Sequence, residues 1–223
     1  MKTTVISLGG SLIHPGQINL SYLQKLRTLV LEYIQKNRLI LVCGGGYSAR
    51  SYQAAARSLG ITAAEDLDWV GIMATRLNAE LIRVFFKEEA YEQVIIHPEQ
   101  KITTEKNLII GAGTFPGWTT DYDAVLLAKK FKADFLVNAS NIDYVYTKDP
   151  KKYKDAKKME RLSWPEFKKL VGTFAPGMHA PFDPVASRYA ENEGMKVAII
   201  NGLDLANLRL VLEGKPFKGT ILG

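Results

Sequence analysis

The stretch Arg38–Gly46, with the sequence RLILVCGGG, decides the fold, because an apolar strand ends there in three consecutive glycines. The same order of strand and glycine turn occurs in residues 3–10 (TTVISLGG) and residues 107–113 (NLIIGAG). Between these strands, residues 19–36 and 64–87 carry apolar side chains at helical spacing. Strands that alternate with helices predict an α/β fold, a three-layer αβα sandwich with a mostly parallel central sheet.

The rest of the chain continues this alternation. Further helices are predicted at residues 48–59 and 120–132, and further strands at residues 93–96, 134–138, 142–147, 195–200 and near Thr220. Capping signals predict three helix starts, at Ser163 with Glu166 in a capping box, at Asp183 before Pro184, and at Asp204. Ligands of open α/β sheets bind at the carboxyl ends of the strands, where the three glycine turns are expected.

The composition excludes several classes of protein. The 223 residues are 47% apolar and 23% charged, as in ordinary globular proteins, which excludes general disorder. No apolar run approaches the roughly 20 residues of a membrane helix, and Gly9 and Gly10 interrupt the first stretch too early for a secretory signal. The single cysteine, Cys43, cannot form an internal disulfide, so we expect a reducing, cytoplasmic compartment and no membrane partner.

The net charge is +6, and the charge is not spread evenly, because six lysines crowd together with Tyr153 into one segment, residues 148–158. Such a run is usually a solvated loop, and a basic rim that attracts a polyphosphate is the alternative. Nucleic-acid binding ranks below both interpretations, because the run lacks repeated aromatic interleaving and no recognition module surrounds it.

The three glycine turns, Gly9-Gly10-Ser11, Gly44-Gly45-Gly46 and residues 111–117, are candidates for phosphate binding. Without a Cβ, backbone N–H groups can approach an anion closely. A single such turn is weak evidence, but three turns at one sheet edge favour a phosphate ligand. The chain has no P-loop motif, and Pro116 disrupts the resemblance of residues 111–117 to a dinucleotide fingerprint.

Some side chains near these turns have chemistry that suits phosphoryl transfer. Arg50 offers a planar fork that matches a phosphate, although a surface salt bridge is an equal alternative. Asp121 is a helix N-cap, an organiser of the reacting groups, or both. Asp68 lies in a helix pattern where a solvated face is the usual role, and Tyr146 could stack on an adenine ring.

The histidines at positions 14, 97 and 179 do not have the spacing of metal ligands, and Cys43 does not pair with them. We therefore predict no metal site made of protein side chains, and surface or loop positions for the three histidines.

Six motifs cover almost the whole chain: Leu8–Ser11 (LGGS), Val42–Arg50 (VCGGGYSAR), Asp68–Ala79 (DWVGIMATRLNA), Gly111–Asp121 (GAGTFPGWTTD), Asn141–Pro150 (NIDYVYTKDP) and Phe182–Ala186 (FDPVA). Together they resemble the amino-acid kinase superfamily and, within it, the uridylate (UMP) kinases of the short archaeal type. The resemblance implies an amino-acid kinase-like fold and transfer of the γ-phosphoryl group of ATP to UMP, which gives UDP, with Mg²⁺ as cofactor.

The resemblance also implies a role for individual residues. Arg50 and Asp121 would be catalytic. ATP would contact Gly9, Gly10, Ser11, Gly45, Arg50, Ser140, Asn141, Tyr146 and Asp149. UMP would contact Gly44, Asp68, Thr114, Phe115, Pro116, Gly117, Trp118, Thr119 and Thr120.

The same resemblance implies the organisation of the molecule. Residues 1–223 would form a single domain, with an acceptor-nucleotide lobe at about residues 1–120 and an ATP lobe at about residues 121–223. The chains would assemble as a homohexamer, a trimer of dimers, and the helix predicted at residues 64–87 is a candidate subunit contact.

The chain departs from the superfamily pattern at two positions. Ser7 stands where many members carry a lysine that reaches the transferred phosphoryl group, and loss of one such donor typically costs ~10²–10³ in rate. Tyr144 stands where the family usually has glycine. Two alternatives therefore stay open: a kinase of the same fold that acts on carbamate, an acylglutamate or isopentenyl phosphate, or a protein that binds nucleotides or anions without catalysis.

Overall fold

The computed structural model describes residues 1–172 and 180–223. The strands are β1 (Thr3–Leu8), β2 (Arg38–Cys43), β3 (Leu108–Gly111), β4 (Phe135–Ser140), β5 (Val145–Tyr146), β6 (Lys158–Met159), β7 (Arg161–Leu162), β8 (Val197–Asn201) and β9 (Thr220–Leu222). The helices are α1 (Gly10–Ile13), α2 (Leu20–Ile34), α3 (Gly46–Ser58), α4 (Ala64–Phe85), α5 (Thr120–Lys130), α6 (Trp164–Val171), α7 (Pro184–Asn192) and α8 (Leu205–Glu213).

A seven-stranded sheet runs through the molecule in the order β3-β2-β1-β4-β8-β9-β7. The neighbours from β3 to β8 are all parallel, and the antiparallel pair is β8 with β9. Strands β5 and β6 form a separate antiparallel ribbon. The predicted mixed α/β sheet with mostly parallel strands is thus confirmed.

Alternating side chains of the strands divide the core into two layers. Ile6 and Leu41 point into one cluster, which includes buried residues of α2, α4 and α8. Val5 and Ile40 point into the other cluster, which includes residues of α5, α6 and α7. All four side chains are essentially inaccessible to solvent. A two-residue period along the central strands therefore places helices on both faces, which makes the three layers.

The predicted capping signals are confirmed. The Ser163 side chain accepts from the Glu166 backbone N–H while Glu166 accepts from the Ser163 N–H, so a complete capping box opens α6. Asp183 accepts from the backbone N–H of Ala186 at 2.7 Å and opens α7. Asp204 caps α8 in the same way.

The strand predicted at residues 93–96 is wrong. Only Ile95 pairs there, through an isolated bridge to Gly111. The pairing stops soon afterwards at Pro98, which has no N–H to donate to a ladder. Three short elements, α1, β6 and β7, were not predicted. None of the described helices has the length and hydropathy required to cross a membrane.

Candidate functional site

The three glycine turns lie along one edge of the sheet, because they follow β1, β2 and β3, which are adjacent and parallel. The first two turns are packed against each other. A Cβ on Gly10 would lie 2.0 Å from the Gly46 nitrogen, and a Cβ on Gly44 would lie 2.5 Å from the Gly10 nitrogen. Any side chain at these two positions would force the turns apart, so both glycines are required by the close approach of the backbones.

Some backbone amides of the two turns hold the fold, and others lie at the first positions of a helix. The Gly9 N–H donates to the Ala139 carbonyl at 2.8 Å, and the Gly44 N–H donates to the Leu8 carbonyl at 3.0 Å. Gly10 and Ser11 begin α1 and Gly45 is the N-cap of α3, positions where backbone N–H groups have no partner within the helix. The edge therefore presents N–H groups suited to an anion.

A carboxylate lies beside this edge. Asp121 Oδ1 accepts from the Ser7 hydroxyl at 2.7 Å and from the Asn138 amide at 2.8 Å, and Oδ2 accepts from the Asp183 N–H at 3.3 Å. Burial raises the pKa of Asp121 to about 6, although the bonds from Ser7, Asp183 and Asn138 oppose that shift. Asp121 thus joins β1, β4 and the start of α7. The N-cap of α5 is Thr119, whose side chain accepts from the Tyr122 N–H, so Asp121 is free for this bridging role.

The loop formed by residues 113–120, here called the acceptor loop, is fixed by helix α4. The Gly113 N–H donates to the Thr75 hydroxyl at 2.8 Å, and the Arg76 guanidinium donates to the Gly113 and Thr114 carbonyls at 3.2 and 3.1 Å. Further along, the Gly117 N–H donates to Asp68 Oδ2 at 2.8 Å. Asp68 is therefore joined to the loop that was predicted to enclose the same ligand.

The predicted acceptor residues differ in accessibility. Thr114 is only 1% exposed, whereas Phe115 and Trp118 are 43% and 38% exposed and meet edge to face with ring centroids 5.4 Å apart. Pro116 is half-buried and Thr119 is exposed, with Thr120 half-buried at the start of α5. Gly117 has a φ of 80° and open space around it. The outer part of the loop is thus an accessible aromatic rim over a rigid base.

Arg50 lies one turn into α3, exposed, and within the described residues its guanidinium has no hydrogen-bond or ion-pair partner. The salt-bridge alternative therefore has no support in the structure. The turn before this helix is held by Asn78 of α4, whose amide donates to the Gly44 and Gly45 carbonyls at 2.8 and 3.1 Å. Arg50 consequently projects from a fixed base beside the amides of Gly45.

The residues predicted to hold adenosine lie at the end of β4, in β5 and in the loop between β5 and β6. Tyr146 lines a cavity of about 320 Å³ together with Tyr144, Asn201 and Lys218. The Ser140 hydroxyl is buried and has no hydrogen-bond partner among the described residues, while Asn141 is exposed. Asp149 is half-buried and accepts from the Lys151 N–H at 2.9 Å, so in this structure it stabilises its own turn.

The basic segment is partly neutralised. Lys148 pairs with Asp155 at 2.6 Å and Lys158 pairs with Glu160 at 2.7 Å. Lys158 also lies 5.0 Å from the centre of the Tyr144 ring, which meets Tyr146 edge to face. These contacts favour a solvated, self-paired segment, and Tyr144 lines the same cavity as Tyr146.

Several site residues were not predicted from sequence. Asn138 lies outside the quoted motifs, and Thr75 lies in the motif Asp68–Ala79 with no role of its own predicted. Asn138 nevertheless holds Asp121, and Thr75 holds the acceptor loop. The one feature that could have pointed to Asn138 is its place in β4, where it lies opposite Ser7 of the neighbouring strand β1. Asp183 was predicted only as a cap, and its backbone N–H adds the contact to Asp121.

The histidines take local roles. His14 contacts the Ser48 hydroxyl at 2.6 Å, and the His97 ring lies 5.2 Å from that of Phe115. His179 lies outside the described residues. Among the residues that the structure describes, no group of three or more His, Cys, Asp or Glu side chains could hold a metal ion.

Comparison with known proteins agrees with this geometry. The profile of the amino acid kinase family matches residues 2–201. The chain belongs to the amino acid kinase family. Among members of that family, the uridylate kinase of Pyrococcus abyssi is 35% identical over 215 residues, which cover 95% of each chain. The uridylate kinase of Thermoplasma volcanium is 37% identical over 218 residues, 96% of this chain and 95% of that one.

Solved structures of amino acid kinases give the same result. The crystal structure of uridylate kinase from Archaeoglobus fulgidus matches with a TM-score of 0.86 at 34% identity and covers all of both chains. The UMP kinase of Bacillus anthracis matches with a TM-score of 0.81 at 21% identity, covering all of this chain and 96% of that chain, which shows the shared fold. The family that the sequence motifs indicated is thus confirmed.

Proposed function

We propose that this protein is an ATP-dependent UMP kinase, which transfers the γ-phosphoryl group of ATP to UMP and forms UDP and ADP for pyrimidine nucleotide synthesis. One observation carries the proposal: the glycine turns after β1 and β2 meet at one sheet edge and present free amides beside Arg50 and the acceptor loop. Full-length relatives at about 35% identity are named uridylate kinases, which supports the same reaction.

ATP phosphates would bind the backbone N–H groups of Gly10, Ser11 and Gly45. The role of Gly9 would be steric, because its own N–H is bonded to Ala139 and a Cβ would lie 3.0 Å from that carbonyl. Mg²⁺ commonly binds through substrate phosphates and keeps several waters, which suits a site whose described residues offer no cluster of protein ligands. When bound, Mg²⁺ neutralises charge on the phosphates.

Phosphoryl transfer depends mainly on alignment and on positive charge around the transferred group. Arg50 would place its unpaired guanidinium where the phosphates of the two nucleotides meet, next to Gly44. Asp121 would help to align the two nucleotides, because it holds the elements around them together. It joins the end of β1 to β4 and α7 through Ser7, Asn138 and Asp183. Because Ser7 carries no charge, neutralisation would come from Arg50, the turn amides and the metal.

The two halves of the chain would bind the two nucleotides. UMP would lie against Asp68 and the acceptor loop, residues Thr114–Thr120, in the N-terminal lobe of about residues 1–120. The adenosine of ATP would occupy the cavity next to Tyr146, with Ser140, Asn141 and Asp149, in the lobe of about residues 121–223. The unpaired Ser140 hydroxyl supports this placement, because a buried hydroxyl without a partner favours a polar ligand.

The aromatic and aliphatic side chains exposed on α3 and α4 support the homohexamer, a trimer of dimers, as part of the proposal. Trp69, Met73 and Leu77 follow one another at four-residue spacing on α4, and they line an apolar cavity of about 420 Å³ with Tyr52 of α3. Exposed apolar patches of this kind mark interaction sites. We also propose a cytoplasmic location, which is consistent with the free, buried Cys43.

An assay of ADP release with a panel of acceptors tests the function. The purified protein with ATP and Mg²⁺ should turn over UMP, with UDP identified as product, and should turn over CMP, acetylglutamate, carbamate and isopentenyl phosphate far more slowly. Turnover of one of the other acceptors without turnover of UMP would replace the proposal by another kinase of this fold. Saturable UMP binding without formation of UDP would show instead that the protein binds the nucleotide without catalysis. Ser7, which stands where many members of the superfamily carry a lysine, is the reason to test for this outcome.

A further inference from the structure

A buried carboxyl group lies directly behind the acceptor loop. Asp123, in the first turns of α5, has 0% exposure, and Thr114 at the base of the loop has 1%. Both carboxylate oxygens of Asp123 and the hydroxyl of Thr114 are buried and without a hydrogen-bond partner of good geometry among the described residues. A buried polar atom without a partner costs free energy, and a buried carboxylate costs more.

The surroundings of Asp123 indicate which group it acts on. Burial is the main influence on the Asp123 carboxyl and raises its pKa to about 7, while the nearby Thr114 hydroxyl and backbone N–H and the Arg76 cation of α4 oppose that shift. Arg76 in turn donates to the carbonyls of Gly113 and Thr114. The base of the acceptor loop is therefore held by Arg76 through its carbonyls, and the Asp123 carboxyl is buried behind Thr114.

A purely structural role does not account for this carboxyl group. The neighbours of Asp123 on α5, Ala124 and Val125, are apolar core residues, and an apolar side chain at position 123 would fill the same layer without burying a charge. Asp121, two residues earlier, has three hydrogen bonds that compensate its burial, whereas Asp123 has none of good geometry within the described residues.

We infer that Asp123 is a positioning residue for the acceptor nucleotide, which acts through Thr114 to fix the base of the acceptor loop against α5. This inference rests on the proposed function, because the acceptor loop is where UMP would bind. Asp123 does not touch UMP, since both Asp123 and the Thr114 side chain are closed to solvent. Asp123 instead sets the position and orientation of the acceptor loop, whose outer residues, Phe115 to Thr120, would enclose the nucleotide.

The test uses steady-state kinetics of the full chain with Asp123→Asn and Asp123→Ala. We expect KM for UMP to rise about tenfold in Asp123→Ala, because loss of the carboxyl group leaves a gap behind Thr114 into which the base of the loop can shift, and by less in Asp123→Asn, which keeps the volume and one acceptor oxygen. KM for ATP should stay within about twofold. The melting temperature of Asp123→Asn should be unchanged or higher, because a buried charge has been removed. Asp134→Asn is the matched control: it weakens a carboxylate that accepts from the Thr3 N–H outside the site and should leave both KM values unchanged.

A double-mutant cycle with Thr114→Val tests whether Asp123 acts through Thr114. If Asp123 acts through Thr114, the double variant Thr114→Val with Asp123→Ala should raise KM for UMP no further than the more severe single variant. Unchanged KM for UMP in both Asp123 variants, with wild-type turnover intact, would overturn the inference and leave the proposed function standing. Fully additive effects would also overturn it. Absence of UMP turnover in the wild-type chain would instead refute the proposed function.

Discussion

Ser7 changes how charge is balanced at the centre of the site. A lysine at this position would supply a cation at the end of β1, but the serine hydroxyl donates to Asp121 and adds no charge. Within the described residues, the side-chain hydrogen bonds to Asp121 come from neutral groups, namely Ser7 and Asn138. The demand for positive charge on the phosphates therefore falls on groups outside this cluster, and Arg50 is an exposed, unpaired cation next to the glycine turns within the part of the chain that the structure describes.

Substitution of Arg50 should consequently affect turnover far more than stability. Arg50→Ala should lower kcat/KM by ~10²-fold or more, since removal of one donor to developing charge has that effect in other enzymes. Arg50→Lys should restore only part of the activity, because an ammonium group cannot contact a phosphate through two parallel bonds. The melting temperature should change little, since the side chain is exposed and makes no ion pair with any described residue.

Arg57→Ala is the matched control, because Arg57 is an exposed arginine in the last turn of the same helix. Its kcat/KM should equal that of the wild type in the coupled ADP-release assay. A large loss of stability in Arg50→Ala, with unchanged specific activity of the folded fraction, would contradict the catalytic role of Arg50.

Some site residues can be predicted from the sequence, and others cannot. Gly10 and Gly44 could be predicted, because consecutive glycines directly after a strand are typical of a turn that another backbone or a ligand approaches, and the structure shows the close approach that requires them. The individual roles of Thr75 and Asn78 could not be predicted, although both lie in the motif Asp68–Ala79, since a threonine and an asparagine within a helix pattern have many ordinary roles. Their function depends on the packing of α4 against the turns, which a local pattern does not contain.

Two carboxyl groups with raised pKa values, Asp121 and Asp123, lie in the first turns of helix α5. Burial raises the pKa of Asp121 to about 6 and that of Asp123 to about 7, from a usual value of 3.8. Both groups prefer to be protonated in the folded chain. Between about pH 4 and pH 7 the unfolded chain ionises first, so the free energy of unfolding should fall as pH rises through this range and level off above it.

Thermal unfolding between pH 4.5 and pH 8 checks this expectation. Each pKa unit corresponds to about 1.4 kcal/mol, so Asp123 alone should make a measurable contribution, and Asp123→Asn should flatten the profile between about pH 5 and pH 7. Asp155→Asn is the control, because Lys148 lowers the pKa of the exposed Asp155. Asp155 is therefore ionised in both the folded and the unfolded chain over this pH range, and its substitution should leave the slope of the profile unchanged. A stability that rises steadily from pH 5 to pH 7 in the wild type, with the same slope in Asp123→Asn, would be inconsistent with these shifts.

The elements themselves were predictable where local signals agree with packing. Capping residues fixed the starts of α6, α7 and α8, because their side chains satisfy helix N–H groups whatever lies around them. The strand at residues 93–96 was predicted wrongly because there the local signal does not agree with the packing. An apolar run next to Pro98 has strand character, but only Ile95 finds a partner at the edge of the sheet. Helix α1, four residues long, has too few turns to leave a periodic signal.

At the scale of the whole molecule, helix α4 would connect the proposed substrate binding with the proposed assembly. Helix α4 holds the glycine turn through Asn78 and the acceptor loop through Thr75, Arg76 and Asp68. On its other side it exposes Met73 and Leu77, which are 58% and 67% accessible. Contact between two copies of α4 would therefore restrain the helix that fixes the base of both nucleotide sites, which links oligomer formation to the rigidity of the site.

This arrangement predicts that the exposed side chains of α4 hold the oligomer together. The wild-type protein should be larger than a monomer by size-exclusion chromatography with light scattering, and Met73→Lys combined with Leu77→Glu should shift it toward monomer, because charges would be buried in an apolar contact. Circular dichroism should show an intact fold, and KM for UMP should rise as α4 loses its restraint. Leu20→Lys is the control, since Leu20 is equally exposed, at 66%, but begins α2. A wild-type chain that stays monomeric at tens of micromolar, or a double variant that keeps the wild-type mass, would show that this face is not the contact.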